Sequence, residues 1–286
     1  MSDAALSDVD AVTLKSCHTH EGYRILVARP AESADVPLPL LVLDATVTFG
    51  TVVEITRLLR FSDDLPAMLV VAVGYQERRF GDALGPRQRD LTFSRSAAGG
   101  WPDDPDMMGG GSHFASFLRG ELKPWVAEHY PISANDWGIL GSSLGGLFAT
   151  HLLLETPDLF QRYGIGSPSY WWDDKTIFLV EASGALSRGV LPARVAITVG
   201  EYEQPDGRRR YIASLPEARR VEETANDKVH PHPDMVGDAE RMYHALRDRG
   251  CEGLRLSFEV IPGEYHQTVI PAHLSRAIRL LYDGPI

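Results

Sequence analysis

Along this chain, short apolar runs of strand length alternate with longer segments whose apolar residues return every three or four positions. The strand-like runs fall at residues 23–28, 38–44, 67–74, 137–141, 163–167, 195–200 and 256–263, and the helix-period segments at 51–60, 114–129, 144–155, 238–249 and 272–282. Strands buried on both faces read as near-continuous apolar runs, and the crossover helices between them each carry one apolar stripe. The alternation therefore predicts an α/β fold with a mainly parallel central sheet and helices on both faces. Two segments, at about 75–112 and 201–233, break the rhythm and are longer than ordinary connections. They read as long loop insertions, which in a compact enzyme serve as lids or substrate-binding walls; disorder is the bland alternative.

With 286 residues, 44% of them hydrophobic, the chain can bury a sizeable core, and residues 1–286 are expected to form a single domain. The net charge of −11 speaks against a nucleic-acid partner, because phosphate binding draws on clustered Lys and Arg. No run approaches the roughly 18 apolar residues of a membrane span. Residues 1–10 hold acidic and small polar residues in place of a basic stretch followed by an apolar core, so they do not read as a signal peptide. Cys17 and Cys251 sit in no metal or redox spacing and read as reduced thiols of a cytoplasmic protein, with a disulfide as the alternative.

Candidate chemistry is concentrated at Gly141-Ser142-Ser143-Leu144-Gly145-Gly146, which follows the strand-like Trp137 to Leu140 and opens a helical run. This is G-x-S-x-G in a strand-turn-helix context, the nucleophile turn of the α/β-hydrolase fold. Its glycines let strand and helix approach each other while the central serine, Ser143, is exposed at the carboxyl end of the sheet. Ser142 holds the neighbouring position and is expected to point back into the protein. The bland alternative is a tight turn without chemistry.

In this fold the acid and then the base follow the serine, on loops after later strands. His266 lies just past the last strand-like run, in Gly263-Glu264-Tyr265-His266, and is the expected general base. The acid should follow the run at 195–200, where Gly200-Glu201-Tyr202-Glu203 places Glu203 in the acid slot with Glu201 as runner-up. Two backbone donors should form the oxyanion hole: the N–H of Leu144 and, from the turn after 38–44, that of Ala45, with Thr46 next in line. His230-Pro231-His232 with Asp234 offers no convergent ligand set, so no metal is expected.

Beyond the triad, the chain resembles the putative-esterase family, which includes esterase D, the mycolyltransferases and the trilactone hydrolases of catecholate siderophores. The resemblance runs from about residue 23 to 282. It rests on Val42-Leu43-Asp44, Val73-Gly74-Tyr75, Arg87 to Thr92, Gly141 to Gly146, Ser167-Pro168-Ser169-Tyr170-Trp171-Trp172, Val199 to Glu203 and Gly263 to His266. It implies the α/β-hydrolase fold, a serine nucleophile and no metal or organic cofactor, and it places Arg89-Asp90 and the Trp pair near the active-site mouth. Two departures from the siderophore esterases are the lack of an evident export signal and Ala45, where many relatives have glycine.

The sequence thus points to a serine esterase that hydrolyses a carboxylic ester, of a siderophore-type lactone or a small acyl compound, through an acyl-enzyme. An acyltransferase on the same fold and a non-catalytic binding module are the alternatives. Arg89, Tyr170 and Trp171 are the expected substrate contacts. Arg87 and Arg208-Arg209-Arg210 are further candidates for an anionic substrate, against the reading of a solvated face. The sequence does not fix the oligomeric state.

Overall fold

Eight strands form one sheet in a computed structural model that describes residues 6–30, 35–76, 79–97, 100, 102–184, 189–229 and 232–283. They are β1 (Val9–Lys15), β2 (Gly22–Ala28), β3 (Leu38–Val42), β4 (Met68–Gly74), β5 (Gly138–Ser142), β6 (Arg162–Gly166), β7 (Arg194–Gly200) and β8 (Arg255–Ile261). Their spatial order is β1-β2-β4-β3-β5-β6-β7-β8. The β1-β2 and β2-β4 pairs are antiparallel, and every other pair is parallel. This is the mainly parallel sheet of an α/β-hydrolase fold, as expected.

The helices are α1 (Ala45–Phe61), α2 (Leu84–Leu91), α3 (Gly111–Phe117), α4 (Lys123–His129), α5 (Leu144–Glu155), α6 (Trp172–Lys175), α7 (Ile177–Ala182), α8 (Pro205–Ser214), α9 (Glu217–Val229), α10 (Met235–Arg249) and α11 (Val269–Tyr282). Alternate residues of the central strands feed two separate cores. Leu41, Val71, Ile139 and Ile197 pack with α3, α4, α5 and α10, whereas Leu40, Val42, Val70, Leu140 and Ala196 pack with α1 and α11. The strands are apolar on both sides because both sides are covered.

Several boundaries differ from the sequence expectation for identifiable reasons. Strand β1 was not expected; it is an edge strand whose alternating, half-exposed side chains give a weak signal. Helix α1 starts at Ala45, six residues before the expected 51, because Asp44 begins it in a left-handed conformation without a side-chain cap. The segment expected as one helix at 114–129 is α3 and α4 joined by a π turn at Leu118–Leu122. Pro124 follows that turn and has no N–H to donate, so the register shifts ahead of it.

The two expected loop insertions hold helices. Residues 75–112 include α2 and two short 3₁₀ turns, Phe80–Ala83 and Pro105–Met107, and residues 201–233 include α8 and α9. In α8 only Gly207 and Ile212 are buried, so this helix lacks the apolar stripe by which a helix is read.

Helix α11 closes tightly on the sheet: a Cβ on Gly166 would lie 2.5 Å from the His273 ring. His273 is fully buried, its Nδ1 is 2.7 Å from Thr198 Oγ1, and burial pushes its pKa down to about 3 from an ordinary 6.5. Burial likewise pushes His151, stacked on Phe93 at 4.2 Å, down to about 4. Both rings are neutral when folded and take up a proton on unfolding below about pH 6.5, so stability is full above that pH and falls as the pH drops toward the folded values. The urea midpoint should therefore decrease between pH 7 and pH 5, and His273→Gln should flatten that slope. An unchanged slope in the variant would show that His273 is not the group being titrated.

Candidate active site

Strand β5 ends in a backbone conformation that few side chains tolerate. Ser143 has φ 59° and ψ −120° and is the residue from which α5 starts. A non-glycine residue at positive φ costs about 1–3 kcal/mol and persists only where its surroundings hold it. Here the Ser143 N–H donates to Gly166 O at 2.9 Å, and its own carbonyl accepts from Leu147 at 3.0 Å and from Ser169 at 3.0 Å. A Cβ on Gly141 would overlap the Gly145 carbonyl, and one on Gly146 would lie 2.9 Å from Gly166 O. The glycines are thus required by close approach. Ser142 is buried, as expected from its place beside the exposed serine.

Strands β7 and β8 bring two further groups to the same edge. His266 follows β8 after a turn at Gly263, which has φ 75°. Its Nε2 lies 3.2 Å from Ser143 Oγ and its Nδ1 lies 2.5 Å from Glu203 Oε1. Glu203 is 1% exposed, and its Oε2 accepts from Ser167 Oγ at 2.5 Å and from the Gly200 N–H at 2.6 Å. An ionised carboxylate only accepts, so the Nδ1–H donates to Glu203 and the lone pair of Nε2 faces the serine. Glu201, the other acid considered, turns away: it accepts from the Gly263 N–H at 2.8 Å and pairs with Arg210 at 2.9 Å. The Gly263 N–H first, and Arg210 less, lower its pKa.

The two expected oxyanion donors, Leu144 and Ala45, are the first residues of α5 and α1, where backbone N–H groups have no intrahelical acceptor. A clamp absent from the sequence reading holds their turns together. Arg87 on α2 donates to both carboxylate oxygens of Asp44, at 2.6 and 2.9 Å, and to the Ser142 carbonyl at 3.2 Å. Arg87 is 7% and Asp44 9% exposed. Burial opposes the guanidinium charge, but the Asp44 carboxylate outweighs it and the pKa is raised. Asp44 itself is left-handed, at φ 59°, and its carboxylate is taken by Arg87 instead of capping α1. The sequence signal for this clamp was the pair of motifs Val42-Leu43-Asp44 and Arg87-Gln88-Arg89-Asp90, which no spacing rule connects.

Of the three expected substrate contacts, one has the exposure that role needs. Trp171, two residues past Ser169, is 41% exposed. Tyr170 is fully buried and its hydroxyl is 2.8 Å from Thr150 Oγ1, so it belongs to the core. Arg89 is committed to Asp90 at 2.8 Å and Glu21 at 2.6 Å, so its charge is already paired within the chain. Trp172 is buried and donates from Nε1 to Ser94 O at 3.2 Å.

The arginine run on α8 is also paired: Arg208 with Glu223 and Asp227, Arg209 with Asp206, and Arg210 with Glu201. Tyr211 of α8 stacks on Tyr265 at 4.7 Å, which fixes α8 against the loop of His266. His232 belongs to the same neighbourhood; burial first, and then the charge of Arg208, lower its pKa. His230 and Pro231, considered with it as metal ligands, lie outside the described residues. Among the described residues no group of three or more His, Cys, Asp or Glu could hold a metal ion. Sequence reasoning missed Ser169, which is fully buried with its Oγ 3.1 Å from Ser143 Oγ.

The family model described as "Putative esterase" matches residues 24–245. The ferri-bacillibactin esterase BesA of Bacillus subtilis is 30% identical over 290 residues, covering 95% of this chain and 89% of that protein. The siderophore triacetylfusarinine C esterase of Aspergillus fumigatus is 28% identical, covering 92% and 89%. Among solved structures, siderophore hydrolase EstB from Aspergillus nidulans superposes with a TM-score of 0.79 at 23% identity, covering 100% of this chain and 98% of its own. The BES protein from Bacillus cereus gives 0.77 at 24% identity, covering 98% and 97%. At these identities the superpositions establish the fold, and the sequence matches establish the lineage: the chain belongs to the putative esterase family.

Proposed function

We propose that this chain is a serine esterase that hydrolyses the ester bonds of a siderophore through an acyl-enzyme, with Ser143 as nucleophile, His266 as general base and Glu203 as the acid that orients it. The observation that carries the reading is the continuous chain from Glu203 Oε1 to His266 Nδ1 at 2.5 Å and from His266 Nε2 to Ser143 Oγ at 3.2 Å. As Ser143 attacks the ester carbonyl, its proton passes to Nε2, and Glu203 stabilises the imidazolium. The N–H groups of Leu144 and Ala45 receive the negative charge that develops on the carbonyl oxygen. The alcohol leaves with the proton from His266, and water then releases the acid.

The siderophore class is supported by the names of the relatives, which match most of this chain. Trp171 is the substrate contact retained in this reading. Residues 1–286 act as one domain, with α2 and the α8–α9 pair as walls rather than free loops. An intracellular site of action is motivated by the exposed thiol of Cys17.

Incubation with a catecholate trilactone and with a hydroxamate ester siderophore, followed by mass analysis of the products, tests the substrate. The expected result is cleavage of at least one of them, reduced about 10⁴-fold or more in kcat by Ser143→Ala. Hydrolysis of simple aryl esters alone would reject the siderophore class, and activity that survives without Ser143 would reject the mechanism.

The clamp gives a second prediction. Arg87→Ala leaves a buried, unpaired Asp44 and should cost about 3–5 kcal/mol of stability. Arg87→Lys keeps the charge but loses the two-pronged bond, so the folded variant should lose about tenfold in kcat as the Ala45 donor shifts. A folded lysine variant with wild-type kcat would mean that the clamp stabilises the fold without positioning the oxyanion hole.

A further inference from the structure

The hydroxyl of Ser169 has no assigned task in the reaction above. Its residue is fully buried, and its contact with Ser143 Oγ at 3.1 Å is the sole hydrogen bond of its side chain among the described residues. The position is held from both sides. The Ser169 N–H donates to Ser143 O at 3.0 Å, and two residues earlier Ser167 is tied to Thr198 O at 2.7 Å and to Glu203 Oε2 at 2.5 Å. Ser167 is itself left-handed, at φ 38°. The segment after β6 therefore fixes one hydroxyl against the reacting oxygen and a second against the acid.

Proton counting decides the direction of the contact. Nδ1 of His266 gives its proton to Glu203, so Nε2 is an acceptor and the Ser143 proton points to it. That leaves the lone pairs of Ser143 Oγ for Ser169, whose proton lies in the contact. Ser169 is the donor.

We propose that Ser169 is a further catalytic residue, whose hydroxyl assists Ser143 Oγ as leaving group when the acyl-enzyme is hydrolysed. The proposal rests on the acyl-enzyme reading. In the acyl-enzyme Ser143 Oγ is the bridging oxygen of an ester, a poor acceptor, and the bond from Ser169 is weak. Water attacks the acyl carbon and gives a proton to His266 Nε2. The carbon–Oγ bond then breaks, its electron pair returns to Oγ, and Oγ takes the proton from His266 to release the free acid. As charge returns to Oγ the bond from Ser169 strengthens, so the donor favours breakdown over persistence of the acyl-enzyme. During acylation the same donor is already bonded to Ser143 before attack and offers no comparable gain.

Rapid-quench intact-mass analysis with an activated aryl ester tests this. In Ser169→Ala the acyl adduct on Ser143 should accumulate, and kcat and KM should fall together by about five- to tenfold, the worth of one hydrogen bond, with kcat/KM nearly unchanged. Ser169→Thr, which restores the hydroxyl, should return the deacylation rate. Ser169→Cys, close in size and with a weaker donor, should move in the same direction as alanine and serves if alanine lowers Tm. Equal slowing of acylation and deacylation, or unchanged rates in both variants, would overturn the proposal. A wild-type protein that forms no adduct on Ser143 with either the aryl ester or a fluorophosphonate would instead overturn the acyl-enzyme reading.

Discussion

The strained, positive-φ backbone at Ser143 is the constraint around which the rest of the molecule is arranged. A serine at φ 59° is held there by its own N–H bond to Gly166 O of β6, by the N–H groups of Leu147 and Ser169 on its carbonyl, and by glycines that allow α5 to start against the end of β5. The strain is local, and what resists it is a sheet apolar on both faces with helices packed above and below. Relaxing the turn would swing the Ser143 hydroxyl away from His266 and displace the N–H of Leu144 at the same time. Fold and proposed chemistry share one structural cost.

Two buried electrostatic arrangements complete the edge. Glu203 is withdrawn from water but satisfied by three partners: His266, Ser167 and the Gly200 N–H. A buried carboxylate is tolerable on those terms and can hold the ring in one tautomer. The Arg87–Asp44 pair does the corresponding work on the other side, joining the turn after β3 to the last carbonyl of β5. Each pair ties the ends of separate strands together, so the site is as rigid as the sheet that carries it.

Much of this was legible in the sequence. The strands and the helices α5 and α11 carry strong periodic signals, and Ser143, His266 and the acid slot at Glu203 follow from a turn motif and a chain order that the fold dictates. What escaped was contact across long sequence separation between residues of ordinary kinds. Arg87 and Asp44 are 43 residues apart, and nothing local marks them as partners. Tyr170 was expected at the substrate with Trp171, but its ring is fully buried and its hydroxyl meets Thr150, so it packs in the core. Helix α8 was hidden because only Gly207 and Ile212 of it are buried, which leaves little hydrophobic period to read.

The most direct test of the central claim, that Ser143 is an activated serine served by His266 and Glu203, is intact-mass spectrometry after treatment with a fluorophosphonate. Wild-type protein should gain one stoichiometric adduct located on Ser143, absent in Ser143→Ala and strongly slowed in both His266→Ala and Glu203→Gln. Wild-type protein that stays unmodified, or that is labelled equally well without Ser143, would contradict the account.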